Sequence, residues 1–116
     1  MTDLNWCRLR GTGIVMLAMA GLFVSTAAQA DDVTVTIDNF TFKPEVLTIK
    51  PGTTVTFVNH DDIPHSIVDN GGKFRSKVFD TDESVRMTFD AAGNLTYFCG
   101  LHPHMTGRIV VEVELN

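Results

Sequence analysis

Four side chains with metal-binding donor atoms lie in two short segments of the 116-residue sequence. Cys99, His102 and Met105 follow one another at intervals of three residues, and His65 lies upstream, directly after a proline. In a tight turn, intervals of three can direct a thiolate, an imidazole and a thioether toward one point. Two imidazoles, one thiolate and a weak thioether form the ligand set of blue-copper electron-transfer sites. We therefore expect one bound copper ion that alternates between Cu(I) and Cu(II).

Each of these side chains also has an ordinary explanation when it is taken alone. A loop histidine is most often a polar surface residue, and a methionine or a free cysteine is most often part of a core. Zinc on His65, Cys99 and His102 is chemically possible, although Cu(II) binds a given site more strongly than Zn(II). His65 and Ser66 also suggest a hydrolytic triad with a nearby carboxylate, Asp61, Asp62 or Asp69. The chain has no Gly-x-Ser-x-Gly turn, which argues against it. We expect no enzyme activity.

Alternating apolar and polar residues predict the elements that must position these side chains. A period of two places one face of a strand on a core and the other face in water. Such runs occupy residues 33–38, 47–50, 54–57, 85–89, 95–99 and 109–115. Short strands separated by turn residues indicate an all-β fold, a β-sandwich or small barrel. Asn59 continues the inward parity of Val55 and Phe57, so we expect its amide to find partners inside the fold.

The first thirty residues differ in composition from the rest of the chain. Arg8 and Arg10 precede an uncharged segment, residues 11–30, that closes with Ala-Gln-Ala. This order is typical of a cleaved secretory signal, so we expect residues 1–30 to be removed and residues 31–116 to form one domain. The strongly apolar core of the segment is shorter than a membrane span requires, so no stable membrane insertion is expected after cleavage.

The charge balance and the cysteine count exclude several classes of protein. The chain has 9 Lys and Arg against 14 Asp and Glu, a net charge of -5, which argues against binding to nucleic acid. Cleavage would leave Cys99 as the one cysteine in an oxidising compartment, where a free thiol is open to oxidation. Metal ligation accounts for such a cysteine. We therefore expect a periplasmic metal-binding domain.

The sequence is similar to the cupredoxin family, and within it most closely to the amicyanin group. The matching segments are residues 40–44, 46–59, 64–65 and 97–107. The short Cys-x2-His-x2-Met spacing resembles that of amicyanins, whereas plastocyanins and pseudoazurins have longer spacings. The resemblance implies a Greek-key β-sandwich that carries single electrons on one type 1 copper ion. A periplasmic protein that carries and delivers copper is the alternative, although only two of the five methionines lie after residue 30.

The resemblance also implies roles for individual residues. His65, Cys99 and His102 would be the equatorial copper ligands, and Met105 would be the long axial ligand. Asn59 would tie the His65 loop to the Cys99 loop. The exposed edge of His102 would lie inside an apolar docking rim, which comprises Ile63, Pro64, Leu101 and Pro103.

His104 departs from the resemblance, because amicyanins have an apolar aromatic residue at this place in the rim. An imidazole has an ordinary pKa of about 6.5, so His104 could make docking depend on pH or compete with His102 for the metal. The implied partners are redox proteins: a c-type cytochrome, a periplasmic dehydrogenase such as an amine dehydrogenase, or both. The protein is expected to be a monomer.

Overall fold

Eight short β-strands make up the fold of the computed structural model, which describes Gly21 and residues 31–114. The strands are β1 Asp32–Asp38, β2 Thr41–Lys43, β3 Val46–Ile49, β4 Thr53–Asn59, β5 Val68–Asp69, β6 Ser84–Phe89, β7 Gly93–Phe98 and β8 Thr106–Val111. The predicted signal, residues 1–30, lies outside the described residues apart from Gly21. Within the described part of the chain, no helix is long and apolar enough to cross a membrane.

The strands form two four-stranded sheets with a shared hydrophobic core. The first sheet has the order β2-β1-β4-β6, and the second has the order β3-β8-β7-β5. β1 runs parallel to β4 and β3 runs parallel to β8, whereas the other neighbouring strands are antiparallel. The prediction of an all-β sandwich is confirmed.

The predicted alternation holds best in the central strand β4 and fails at the end of the chain. Val55 and Phe57 are fully buried, and their neighbours in β4 are half-buried. β8 ends at Val111, although the alternation predicted a strand to residue 115, and Val113 is 59% exposed. The reason is that Val111 pairs with Gly93, the first residue of β7, so no partner strand continues beyond it.

The β7–β8 ladder creates the loop that carries three of the four predicted ligands. Phe98, the last residue of β7, pairs with Thr106, the first residue of β8. Residues 99–105 must therefore leave one strand and enter its neighbour within a closed turn. Cys99 and Met105 lie at the two ends of this turn, at one end of the sandwich.

The one tyrosine of the chain lies in the core between the two sheets. The Tyr97 ring packs edge-on against the rings of Phe42 and Phe57, with centroid separations of 4.7 and 5.5 Å. Gly107 on β8 leaves room for this ring, because a Cβ at that position would overlap it. The Tyr97 hydroxyl has no hydrogen-bond partner among the described residues.

Tyr97→Phe is expected to increase the free energy of unfolding by about 1 kcal/mol, since an unpaired buried hydroxyl is unfavourable. Burial, together with the charge of Glu45, also raises the pKa of Tyr97 above its ordinary value. The unfolded tyrosine ionises above pH of about 10 while the folded one stays neutral, so the wild type should lose stability as pH rises beyond that value. Denaturant unfolding at neutral pH and near pH of about 11 measures both effects. A less stable Phe variant at neutral pH would contradict the first.

Candidate metal centre

The side chains of His65, Cys99 and His102 converge at one end of the sandwich. Their donor atoms all lie within 4.8 Å of one another. The Cys99 Sγ is 3.5 Å from His65 Nδ1 and 3.7 Å from His102 Nδ1. Metal bonds of about 2.0–2.3 Å to nitrogen and sulfur, at trigonal angles, place two such donor atoms about 3.7 Å apart. The three residues therefore fit a single ion of that size, and a thiolate with two imidazoles suits copper.

Three backbone hydrogen bonds close the loop on itself. The Cys99 N–H donates to the Met105 carbonyl at 3.0 Å, and the Met105 N–H donates to the His102 carbonyl at 2.9 Å. The His102 N–H donates to the Cys99 carbonyl at 3.2 Å. These bonds hold the backbone in a tight turn, which is why side chains three residues apart can point toward the same place. Met105 is 5% exposed and stands in the arrangement of the fourth ligand.

The carboxylate of Asp61 orients the His65 ring. The sequence suggested Asp61 only as a member of a possible triad. The His65 ring is fully buried, and its Nε2 lies 2.8 Å from Asp61 Oδ2. A carboxylate accepts hydrogen bonds and does not donate them, so Nε2 carries the ring proton. Nδ1 then presents its lone pair to the donor cluster, which is how such a partner fixes a metal-binding histidine. The spacing of four residues between Asp61 and His65 is the one feature of the sequence that could have indicated this contact.

Asp61 also holds the turn between β1 and β2. Its Oδ1 accepts the Asn39 N–H at 2.6 Å, and its Oδ2 accepts the Phe40 N–H at 2.9 Å. Burial alone would raise the pKa of Asp61, but the hydrogen bonds from Phe40, His65 and Asn39 outweigh it and hold the pKa below its ordinary value. The carboxylate is thus a fixed negative charge beside the first ligand.

Ser66 links the His65 segment to the Cys99 loop. The Ser66 N–H donates to Cys99 Sγ at 3.4 Å, and the Ser66 Oγ accepts the Gly100 N–H at 3.0 Å. The first bond fixes the sulfur relative to the His65 segment, and the second fixes the residue that follows Cys99. Among the described residues, the Ser66 hydroxyl makes no hydrogen bond to His65, so the predicted alternative of a hydrolytic triad with Asp61 does not form.

Asn59 is fully buried at the end of β4, as its parity predicts. Its Nδ2 donates to the carbonyls of Ile63 at 2.8 Å and Phe79 at 3.2 Å, and its Oδ1 accepts the Asp61 N–H at 2.8 Å. These contacts shape the loop that leads to the first ligand, and none of them reaches the second ligand loop. The predicted tie from Asn59 to that loop is therefore corrected, because Ser66 makes it instead.

Gly100→Ala is expected to destabilise the protein by about 1–3 kcal/mol through overpacking. A Cβ at this position would lie 2.6 Å from Ser66 Oγ and 3.2 Å from Val68 Cγ2. Ser66→Ala removes the hydroxyl, so the double variant should be less destabilised than the sum of the two single variants. Denaturant unfolding of the wild type and the three variants measures this coupling. Strict additivity would contradict the close approach of the two loops.

Each of the predicted rim residues is at least partly exposed. His102 is half-buried, whereas His65 is fully buried. Leu101, Pro103 and His104 are exposed. Ile63 and Pro64 are half-buried. His104 is not part of the donor cluster, which contains His102 in the position that the spacing predicts.

Comparisons with known proteins identify relatives of the whole domain. Residues 12–111 match the family model of the cupredoxin-like domain. An amicyanin of Paracoccus versutus is 36% identical over 88 residues, which cover 72% of this chain and 67% of the amicyanin. A solved structure of a reduced amicyanin variant superposes with a TM-score of 0.67 at 30% identity. The superposed region covers 74% of this chain and 88% of the amicyanin chain.

One similar structure belongs to a larger protein. The Cu-containing nitrite reductase of Thermus scotoductus superposes with a TM-score of 0.68 at 34% identity over 72% of this chain. This chain spans only 23% of the reductase, so the likeness concerns one part of that enzyme. The family-model match over residues 12–111 and the 36% identity to an amicyanin both indicate the cupredoxin-like family. The chain belongs to the cupredoxin-like family.

Proposed function

We propose that this chain is a periplasmic type 1 copper protein that carries single electrons between redox proteins. The observation that supports the proposal most strongly is the convergence of two imidazoles and one thiol within 4.8 Å. The thioether of Met105 completes a donor set supplied entirely by side chains. Such a set leaves no open position for a substrate, unlike a catalytic zinc site. The geometry therefore favours electron transfer over catalysis on a bound substrate.

The protein contributes a donor set that resists rearrangement. Copper bound there would supply the one-electron Cu(II)/Cu(I) couple. Cys99 and His65 are fully buried and Met105 is nearly so, which keeps water away from three of the four donors. Asp61 fixes the ring of His65, and the backbone bonds of residues 99–105 fix the other donors. Burial of this kind also favours retention of the ion over its delivery to another protein.

The half-buried ring of His102 is the proposed exit for the electron. The predicted rim residues are exposed or half-buried, and Leu101, next to His102 in the sequence, is 46% exposed. An apolar rim around a ligand allows a partner to approach closely and briefly. We propose a c-type cytochrome, a periplasmic dehydrogenase such as an amine dehydrogenase, or both as partners. The exposed imidazole of His104 in this rim would distinguish this protein's partners from those of amicyanins.

Adding Cu(II) to the metal-free protein is expected to produce an intense blue thiolate-to-copper absorption band. Ascorbate should remove the band by reducing the ion, and an oxidant should restore it, because the same donors suit both oxidation states. Absorption spectroscopy with one equivalent of copper measures each step. Zinc serves as the control, since it binds imidazole and thiolate without redox chemistry. A protein that stays colourless with copper and binds only zinc would refute the proposal.

A further inference from the structure

An exposed aromatic residue in the β1–β2 turn contacts both imidazoles of the metal centre. The Phe40 ring lies edge-on to the His65 ring at a centroid distance of 5.8 Å and to the His102 ring at 5.2 Å. The interplanar angles are 89° and 86°, which is a favourable geometry for aromatic pairs. Phe40 is nevertheless 48% exposed. Its position is therefore explained by its contacts with the two histidines rather than by burial in the core.

The backbone beneath Phe40 is held in an unusual conformation. Asn39 and Phe40 have φ angles of +53° and +56°, and a left-handed conformation is a genuine outlier for a bulky residue such as Phe. The carboxylate of Asp61 accepts the N–H groups of both residues, and the same carboxylate accepts the His65 ring proton. One side chain thus couples the turn to the first ligand. Strained residues that persist beside a functional site suggest a role there.

The two imidazoles differ in how the protein restrains them. His65 is held through its second nitrogen by Asp61, at 2.8 Å. The His102 ring makes one side-chain contact of hydrogen-bond type in residues 31–114, from Nδ1 to the Cys99 sulfur at 3.7 Å. Its other nitrogen has no partner there, and the ring is only half-buried. Two aromatic rings pack against the His102 ring: the buried His65 ring at a centroid distance of 5.1 Å and the exposed Phe40 ring at 5.2 Å. Because Phe40 is the exposed one of the two, it is the ring that lies between His102 and solvent.

We propose that Phe40 is a positioning residue that restrains the His102 imidazole and shields it from solvent. This inference rests on the proposed function, because His102 is the ligand through which the electron would leave. The Asp61 carboxylate holds the turn that presents the Phe40 ring, and the same carboxylate orients His65. One clamp would therefore set the position of both imidazoles.

Diethyl pyrocarbonate, which acylates accessible imidazole nitrogen, tests this role in the metal-free protein. In Phe40→Ala, His102 is expected to react several-fold faster than in the wild type, as measured by tandem mass spectrometry of each histidine. The exposed His60 and His104 serve as internal controls and should react at unchanged rates. Phe40→Tyr retains the ring and should restore the wild-type rate at His102. An unchanged His102 rate in folded Phe40→Ala would overturn the proposal.

Phe40→Leu decides the question if the Ala variant does not fold, because it keeps apolar volume without a ring. Circular dichroism identifies folding, and fast acylation of the buried His65 identifies its loss. His102 is expected to react faster in Phe40→Leu than in Phe40→Tyr, and equal rates would overturn the role of the ring. The reaction requires no metal. A protein that fails to bind copper would therefore reject the proposed function while the His102 rates still report on Phe40.

Discussion

Cys99→Ser should abolish the intense blue absorption of the copper-loaded protein and leave the sandwich folded. The band requires a thiolate bound to Cu(II), and Cys99 is the sole sulfur donor among the three clustered groups. A hydroxyl is nearly isosteric with the thiol and can still accept the Ser66 N–H that now points at the sulfur. Absorption spectroscopy with one equivalent of Cu(II) measures the loss, and circular dichroism measures the fold.

His60→Ala is the matched control for loss of a metal-binding side chain. His60 has a side chain that is 51% exposed and lies outside the donor cluster. This variant should keep the full blue band, whereas His102→Ala should lose it or change its energy. A blue Cys99→Ser variant, or a colourless His60→Ala variant, would mean that the copper binds somewhere other than the cluster.

Asn59→Ala is expected to lower the free energy of unfolding by about 3 kcal/mol, since each of its three hydrogen bonds contributes about 1 kcal/mol. The fully buried amide bonds the Ile63 and Phe79 carbonyls and the Asp61 N–H. Alanine leaves these three backbone groups without their partner. Denaturant unfolding of the metal-free protein measures the change without a contribution from bound copper.

Asn94→Ala provides the control for an asparagine in an exposed strand position. Asn94 pairs with Val110 in the β7–β8 ladder, and its side chain is exposed. Its removal should change the free energy of unfolding by less than about 0.5 kcal/mol. If the two variants were equally stable, the network around Asn59 would have no energetic role in the loop that carries His65.

The structural features that the sequence predicted well, strand burial and the ligands of the Cys99 loop, depend on local patterns. A period of two reports which face of a strand is buried, and the alternation of β4 from Val55 to Asn59 reproduces its burial. The donors of the Cys99 loop are also local, because backbone bonds within residues 99–105 bring them together. His65 joined the prediction through its residue type and its place after a proline. Its distance to the sulfur depends on the pairing of β5 with β7, where Val68 lies opposite Phe98, and this pairing joins distant segments of the chain.

The features that sequence reasoning missed depend on contacts between distant segments. Asp61 reaches the β1–β2 turn, and Phe40 lies over both imidazoles because that turn adopts positive φ angles. No local pattern reports a left-handed Phe. Ser66 took the linking role that the resemblance implied for Asn59, because the Asn59 amide is occupied by its own loop. A parity argument shows which side chains point inward but does not show which neighbour each one meets.

X-ray absorption at the copper edge, on the loaded protein in both oxidation states, tests the central claim most directly. The account predicts a shell of one short sulfur and two imidazole nitrogens around Cu(II), from Cys99, His65 and His102. The same neighbours should remain in Cu(I), because the loops that hold them are fixed by hydrogen bonds. A first shell of nitrogen and oxygen alone, without sulfur, would contradict the account.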